Sequence, residues 1–222
     1  IFAVLIVLFI SRDERQHTLE LIEPLDLGTY FLGIWVLLKK RVVLGVCLLA
    51  GFRTMTQNGI YVFLPFYLKD VMGVEAILIG AIWAIMQLGG MVSGPIAGTW
   101  SDYIGRRPLV LAGLAATAVT LFLLTIIDDH IAFVIVVACL GFALFAVRPV
   151  VHTWMMDLAP PNLRGGATNL VFGAQSAMRM LIPVAGGFMA DTWGVGSVFY
   201  LLMGIAILGA LTAVILPNRQ NL

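Results

Sequence analysis

The chain has 222 residues, of which 61% are hydrophobic and only 11% are charged, and its formal net charge is +1. Soluble domains usually carry about 25% charged residues, so this composition excludes an ordinary water-soluble domain. The apolar stretches are about 17 to 25 residues long, the length that an α-helix needs to cross a bilayer, and we expect a multi-pass all-α membrane protein. Cys47 and Cys139 lie in apolar runs without disulfide or metal-ligand spacing, so we expect no metal and no cofactor.

The first part of the chain, residues 1–41, precedes the first complete span. Residues 1–11 are dominated by an apolar run too short to cross a membrane, which we interpret as the tail of a transmembrane helix cut off upstream; the hydrophobic region of a signal peptide is the alternative. Residues 12–41 predict a cytoplasmic linker. Its apolar stretch from Leu27 to Leu38 is also too short to cross, which favours an interfacial helix or an extension of the next span.

Residues 42–216 predict a six-helix transmembrane domain, and residues 217–222 a short tail. Nine basic residues fall in the connectors on one side of the predicted membrane and in the tail, whereas only Lys69 falls on the other side. The positive-inside rule therefore places the first side, including the C-terminus, in the cytoplasm, and we expect a location in the plasma (inner) membrane. The predicted spans run roughly from Val42 to Leu68, Ala76 to Trp100, Leu109 to Ile127, Ile131 to Met156, Ala167 to Ala190 and Val195 to Leu216.

Three arginines, Arg53, Arg148 and Arg179, lie deep inside apolar stretches, whereas every acidic residue lies in a connector or near a helix end. A charge at bilayer depth costs roughly 2.5–3.5 kcal/mol on insertion scales, so it indicates a function. A guanidinium group suits carboxylate, phosphate or phosphonate groups, which predicts contact with an anionic solute. For any single arginine, a salt bridge to an acid elsewhere in a larger protein is an equally good interpretation.

Polar residues follow Arg53 along the first span. Gln57 and Tyr61 lie four and eight residues after it, on nearly the same helix face, and this stripe is the leading candidate for solute binding. The second span carries a single amide, Gln87, which either contacts the solute or forms a hydrogen bond between helices.

The fourth and fifth spans carry the remaining candidates. Arg148 and His152 share one face of the fourth span, and Pro149 between them favours a kink. His152 either carries a proton, because the pKa of an unperturbed histidine is near neutral pH, or serves as an interhelical partner. Gln175 lies four residues before Arg179 on the fifth span. The predicted substrate-binding residues are Arg53, Gln57, Tyr61, Gln87, Arg148, His152, Gln175 and Arg179.

The connector between the second and third spans reads Gly98-Thr99-Trp100-Ser101-Asp102-Tyr103-Ile104-Gly105-Arg106-Arg107-Pro108. It resembles the cytoplasmic signature loop of the major facilitator superfamily, G-x-x-x-D-(R/K)-x-G-R-(R/K), although Tyr103 replaces a basic residue. The segment from Asp157 to Gly166 is similar to the acid, proline and Arg-Gly connector before that family's eleventh helix. The resemblance implies the C-terminal six-helix half of such a protein, built from two inverted three-helix repeats. It also implies that residues 12–41 link this half to an N-terminal six-helix half.

In that family the signature loop belongs to a cytoplasmic gate, so the resemblance assigns gating roles to both motifs. Gly90, Gly94 and Gly98 recur every four residues and predict a smooth stripe for close helix packing. The Asp102 carboxylate is then expected to reach the N-terminus of a neighbouring helix. The alternative is a basic turn that only fixes topology. The predicted gating residues are Gly98, Asp102, Gly105, Arg106, Arg107, Asp157, Arg164 and Gly165.

The resemblance implies a secondary active carrier that moves a small organic solute, a drug or an organic anion, by alternating access with proton or counter-solute coupling. The segment from Gly51 to Leu68 is similar to the fosmidomycin-resistance branch of efflux carriers, and Arg53 lies where organic-phosphate exchangers carry an arginine. The alternatives are a cation-drug/proton antiporter with its acid in the N-terminal half, and a carrier-derived receptor or scaffold that does not transport. We expect no nucleic-acid partner. The motifs of ATP-binding loops, zinc proteases and serine hydrolases are absent from the sequence, which argues against an enzyme.

Overall fold

The computed structural model describes residues 27–127 and 129–216, and these ranges contain helices and no strand. A π-helical turn, Tyr67–Val71, follows the second helix, and a 3-10 turn, Pro161–Leu163, precedes the sixth. The predicted helix tail, the first part of the linker and the C-terminal tail lie outside the described residues. The helices are α1 (Leu27–Lys39), α2 (Arg41–Phe66), α3 (Ala76–Ile104), α4 (Arg106–Leu124), α5 (His130–Leu158), α6 (Arg164–Arg179), α7 (Leu181–Trp193) and α8 (Ser197–Ile215).

Four of these helices, α3, α4, α5 and α8, are long and apolar enough to cross a membrane. The α2 helix has 26 residues, but its polar face lowers its hydropathy. The predicted fifth span consists of two helices, α6 and α7, which meet at Met180. Pro183 lies in the first turn of α7 and has no N–H for the carbonyl of Arg179, which accounts for the break. The predicted all-α membrane fold is confirmed, whereas the continuous fifth helix is wrong.

The connector predicted over residues 101–108 is not a loop, because most of it is helical. The α3 helix continues to Ile104 and α4 begins at Arg106, so that Gly105 alone forms the turn. The φ angle of Gly105 is 101°, in a region that glycine adopts readily and other residues rarely. Pro108 is tolerated in the first turn of α4, where a backbone N–H has no partner inside the helix.

Helices α3 and α5 form the most extensive pair in the structure, α4 packs on α5 and α8, and α2 lies between α8 and α6. The closest approach of α3 to α5 is at Gly89 and Gly141, where a Cβ atom would collide with the opposite backbone. The predicted glycine stripe is only partly right, since a Cβ atom at Gly90 would collide with Phe145, whereas a Cβ atom at Gly94 would meet no atom of another helix in the described part of the chain. The same holds for Gly98 of the signature motif.

The buried side chains form two apolar clusters, one toward each end of the helix bundle. Along α2, Ala50 belongs to the first cluster and Met55 to the second, so that Arg53 lies at the boundary between them. Large apolar side chains cover the outside, and Ile77 and Ile215 are 79% and 83% exposed. Such a surface suits contact with lipid, and the middle of the bundle is left for polar groups.

Candidate solute-binding site

A polar cavity of about 340 Å³ lies between α2, α3, α5 and α6. These helices correspond to the first, second, fourth and fifth predicted spans, and seven of the eight predicted substrate-binding residues line the cavity. Its volume falls at the lower end of the range of roughly 300–1,000 Å³ that is typical of small-molecule sites. The lining residues are Arg53, Thr54, Gln57, Asn58, Tyr61, Gln87, Phe145, Arg148, Phe172, Gln175, Ser176 and Arg179.

The eighth predicted residue, His152, is not among the residues that line the cavity. Its imidazole ring packs against Phe172, with 4.9 Å between the ring centroids. Because Phe172 does line the cavity, His152 lies directly behind its wall. A role for His152 in proton transfer stays a prediction.

Arg53 is the most buried of the three arginines, with only 3% of its surface exposed. Its Nε and Nη2 atoms donate hydrogen bonds of 3.2 and 3.1 Å to the carbonyl oxygen of Leu144. Leu144 belongs to α5, so this guanidinium group ties α2 to α5 near the middle of both helices. Arg148 and Arg179, in contrast, are exposed residues on the cavity wall.

No acidic side chain lines the cavity. The acidic residues in the described ranges lie at helix ends or in connectors, as the sequence predicted. Three guanidinium groups therefore meet around one small space without a carboxylate in its wall, which gives the cavity a positive potential. The acidic residues of the described ranges are Asp70, Glu75, Asp102, Asp129, Asp157 and Asp191.

One side of the cavity is formed by a chain of amide and phenol groups. Gln57 Nε2 donates a hydrogen bond of 2.9 Å to the Tyr61 hydroxyl, which donates one of 3.4 Å to Gln87 Oε1. The Tyr61 ring also packs against Trp83, with 4.8 Å between the centroids. Gln87 thus forms the hydrogen bond between helices that was one of its two interpretations, and it still faces the cavity.

Five lining residues are not among the eight predicted ones: Thr54, Asn58, Phe145, Phe172 and Ser176. Thr54 and Asn58 each follow a predicted residue by one position and lie four apart, so the helical period could have revealed them. The two phenylalanines gave no signal, because an aromatic residue in an apolar run is more often a core residue. They add apolar surface beside the arginines.

The signature motif forms a second polar cluster, at the end of the bundle where α3 meets α4. The Arg106 guanidinium is 3.1 Å from Asp102 Oδ1 and 3.4 Å from Asp157 Oδ2. It also donates a hydrogen bond of 2.7 Å to Ser101 Oγ. The cluster therefore joins the ends of α3 and α5 to the start of α4. Within the described ranges the expected contact between Asp102 and the N-terminus of a neighbouring helix is not observed, and the carboxylate pairs with the Arg106 side chain.

The other predicted gating residues lie in the last turns of α3, in the turn at Gly105, or at the starts of α4 and α6. Arg107 donates a hydrogen bond to the carbonyl oxygen of Val214 in α8. The carbonyl oxygen of Gly98 accepts a hydrogen bond from the Ser101 hydroxyl. Arg164 and Gly165 are exposed at the start of α6.

In the described ranges no group of three His, Cys, Asp or Glu side chains could hold a metal ion. The apolar outer surface and the membrane-spanning helices define an integral membrane protein, and a polar cavity lies between its helices. Residues 79–221 match the sequence profile of the Major Facilitator Superfamily. The chain belongs to this family.

Several relatives are proteins whose names refer to drug resistance. Multidrug resistance protein 2 of Bacillus subtilis (strain 168) is 25% identical over 158 residues, which cover 71% of this chain and 39% of that protein. The MdtG proteins of Klebsiella pneumoniae (strain 342) and Escherichia coli (strain K12 / DH10B) are named Multidrug resistance protein. They are 26% and 27% identical over 147 and 150 residues, or 64% and 66% of this chain and 35% and 36% of the relatives. The chain therefore spans well under half the length of the relatives it matches.

Proposed function

We propose that this chain is the C-terminal six-helix half of a major facilitator carrier that moves a small organic solute, a drug or an organic anion, across the plasma membrane. Movement occurs by alternating access of the cavity, driven by a proton or counter-solute gradient, with the C-terminus in the cytoplasm. The observation that carries the proposal is a cavity lined by three arginines and no carboxylate. The names of the relatives support export of drugs.

Within this cavity Arg148 and Arg179 hold the anionic group of the solute, because their side chains are exposed and face the same space. Arg53 contributes positive charge, but two of its N–H groups bind Leu144, so its main role is to position α5. A guanidinium group can bind a carboxylate or phosphonate through two parallel hydrogen bonds. Two free arginines therefore favour an anion over a cation.

The organic part of the solute lies against the aromatic side of the cavity. Phe145 and Phe172 flank the arginines, and the hydroxyl of Tyr61 is held in place by Gln57 and Gln87. An aromatic wall next to fixed polar groups is the usual arrangement in sites for small amphipathic molecules. The preferred solute is thus an organic anion with an apolar or aromatic body.

Closure of the cytoplasmic end involves the Arg106 cluster. Arg106 contacts both Asp102 and Asp157, so the ends of α3 and α5 move together with the start of α4. Since α3 and α5 each contribute a wall of the cavity, a movement of the Arg106 cluster at the cytoplasmic end also moves the walls that contact the solute.

Transport by the full-length protein in vesicles tests the proposal. A phosphonate drug, a labelled organophosphate and a cationic dye are compared for the wild type, for Arg179→Gln and for Arg41→Gln, which removes the same charge from an exposed position at the start of α2. Loss of a charge-assisted contact worth about 1.5–3 kcal/mol reduces anion transport by about 10- to 150-fold in Arg179→Gln. Arg41→Gln is expected to match the wild type.

Three outcomes contradict this proposal. Equal anion transport in all three proteins removes Arg179 from the site. Transport of the cationic dye alone, with a proton flowing in the opposite direction, identifies a cation antiporter instead. No gradient-driven transport of any compound by a folded, membrane-inserted protein identifies a receptor or scaffold.

A further inference from the structure

A second cavity, of about 580 Å³, lies at the end of the bundle opposite the Arg106 cluster. It is bounded by the turn after α2 and by the first turns of α3 and α5. Leu68 and Phe133 form a buried floor, while Leu78 and Ile135 are more than half exposed and form the mouth. The cavity is larger than the polar one, and its lining is almost entirely apolar.

The two cavities use different faces of α3. Successive residues of an α-helix are rotated by about 100°, so Leu78 and Ile85 of the apolar cavity lie about 180° and 160° around the axis from Gln87 of the polar cavity. The apolar cavity is therefore a separate site. It opens on the side of α3 that faces away from the proposed solute pathway, where the apolar side chains of Leu78 and Ile135 are exposed.

The charged groups at the rim of this cavity favour a cation. Glu75 is the only acidic residue in its lining, His130 is the other ionisable one, and no lysine or arginine contributes. Glu75 immediately precedes α3, yet its side chain does not cap that helix, whereas Asp129 at the start of α5 accepts a hydrogen bond from the Ala132 N–H. Within the described ranges the Glu75 carboxylate forms no ion pair, so it is available to a ligand.

We propose that this apolar cavity binds an amphipathic organic cation, with its hydrocarbon chain in the groove and its cationic head against Glu75. From Glu75 to Ile85 the groove follows ten residues of α3, or about 15 Å, which matches a chain that enters from the membrane surface. A phospholipid fits less well, because its phosphate would lie beside Glu75 without a lysine or arginine in the lining. The proposal is independent of transport through the polar cavity.

Three amphiphiles with the same chain and different heads test it: dodecyltrimethylammonium, dodecylphosphocholine and dodecyl sulfate. Their binding to the full-length protein in nanodiscs is measured below their micelle-forming concentrations and corrected with protein-free nanodiscs. The cation is expected to bind at least about tenfold more tightly than the sulfate, because the sulfate meets a like charge at Glu75. The zwitterionic compound, which carries a phosphate as phospholipids do, is expected to lie between them.

Two substitutions locate the site. Ile135→Trp fills the mouth of the cavity and is expected to weaken binding of all three amphiphiles at least about tenfold. Glu75→Gln is expected to remove the preference for the cationic head group, while the hydrocarbon chains of the amphiphiles still bind. Arg41→Gln, at an exposed position outside both cavities, is the control and should change nothing, and Arg179→Gln, in the polar cavity, should leave binding of the cation unchanged. Unfolding temperatures near that of the wild type establish that the variants are folded, and Leu78→Trp replaces Ile135→Trp if the latter is not.

Several results would overturn the proposal. Equal binding of the three head groups, or unchanged selectivity in Glu75→Gln, removes the carboxylate from recognition. Binding that Arg179→Gln abolishes and that both tryptophan variants leave intact belongs to the polar cavity. A co-purified phospholipid that the cation cannot displace, and that Ile135→Trp removes, identifies a lipid as the occupant.

Discussion

Arg53 offers the sharpest test of the physical argument, because it is a buried cation without a carboxylate partner in the described ranges. In Arg53→Lys the charge stays, but a single ammonium replaces the planar fork that holds Leu144 through two bonds. The loss of one hydrogen bond from a charged donor costs about 1.5–3 kcal/mol. In Arg53→Met both bonds are lost, but the cost of burying an unpaired charge disappears as well, and such exchanges are often neutral or stabilising.

We therefore expect the Arg53→Met variant to be at least as stable as the wild type and the Arg53→Lys variant to be less stable. The lysine variant should therefore unfold at a measurably lower temperature than the wild type. Thermal unfolding of the full-length protein in one detergent, followed by tryptophan fluorescence, measures this directly. The reasoning is refuted if Arg53→Lys is as stable as the wild type, or if Arg53→Met is the least stable of the three proteins.

Three further predictions concern the helix contacts and the signature motif. Gly141→Ala places a Cβ against the α3 backbone and is expected to lower the free energy of unfolding by about 1–3 kcal/mol or more. Gly94→Ala, where a Cβ has open space, should be neutral or slightly stabilising. Equal effects of the two substitutions in chemical denaturation would contradict the packing described. Gly105→Ala forces alanine into a positive φ angle that almost only glycine adopts and should lower the free energy of unfolding by about 1–3 kcal/mol in the same measurement. A loss below about 0.3 kcal/mol would contradict this. Arg106→Gln is expected to lower the free energy of unfolding by about 1–2 kcal/mol, chiefly through the lost contact with Asp157, because the Asp102 side chain is 66% exposed and exposed ion pairs contribute little. A double-mutant cycle with Asp157→Asn measures the coupling energy between the two side chains. Additive effects would show that they act independently.

Much of the polar cavity was predictable, since the polar residues of these spans recur with the helical period. Gln57 and Tyr61 follow Arg53 by whole turns, so they had to share its face wherever that face pointed. The positions where helices end or break were harder to predict from the sequence. Pro183 is visible in the sequence, but no comparable residue marks the extension of α3 through Ser101 and Asp102 to a one-residue turn at Gly105.

The sequence by itself determined that this protein is a helical membrane protein with polar residues on four spans, because hydropathy and the helical period act through neighbouring residues. Only the tertiary structure decided that Arg53 binds the carbonyl oxygen of Leu144, a residue 91 positions further along the chain. It also decided that Gly89 and Gly141, not Gly94, bring α3 close to α5. Both contacts involve backbone atoms, which every residue possesses, and no side-chain pattern in the sequence marks where two backbones will meet.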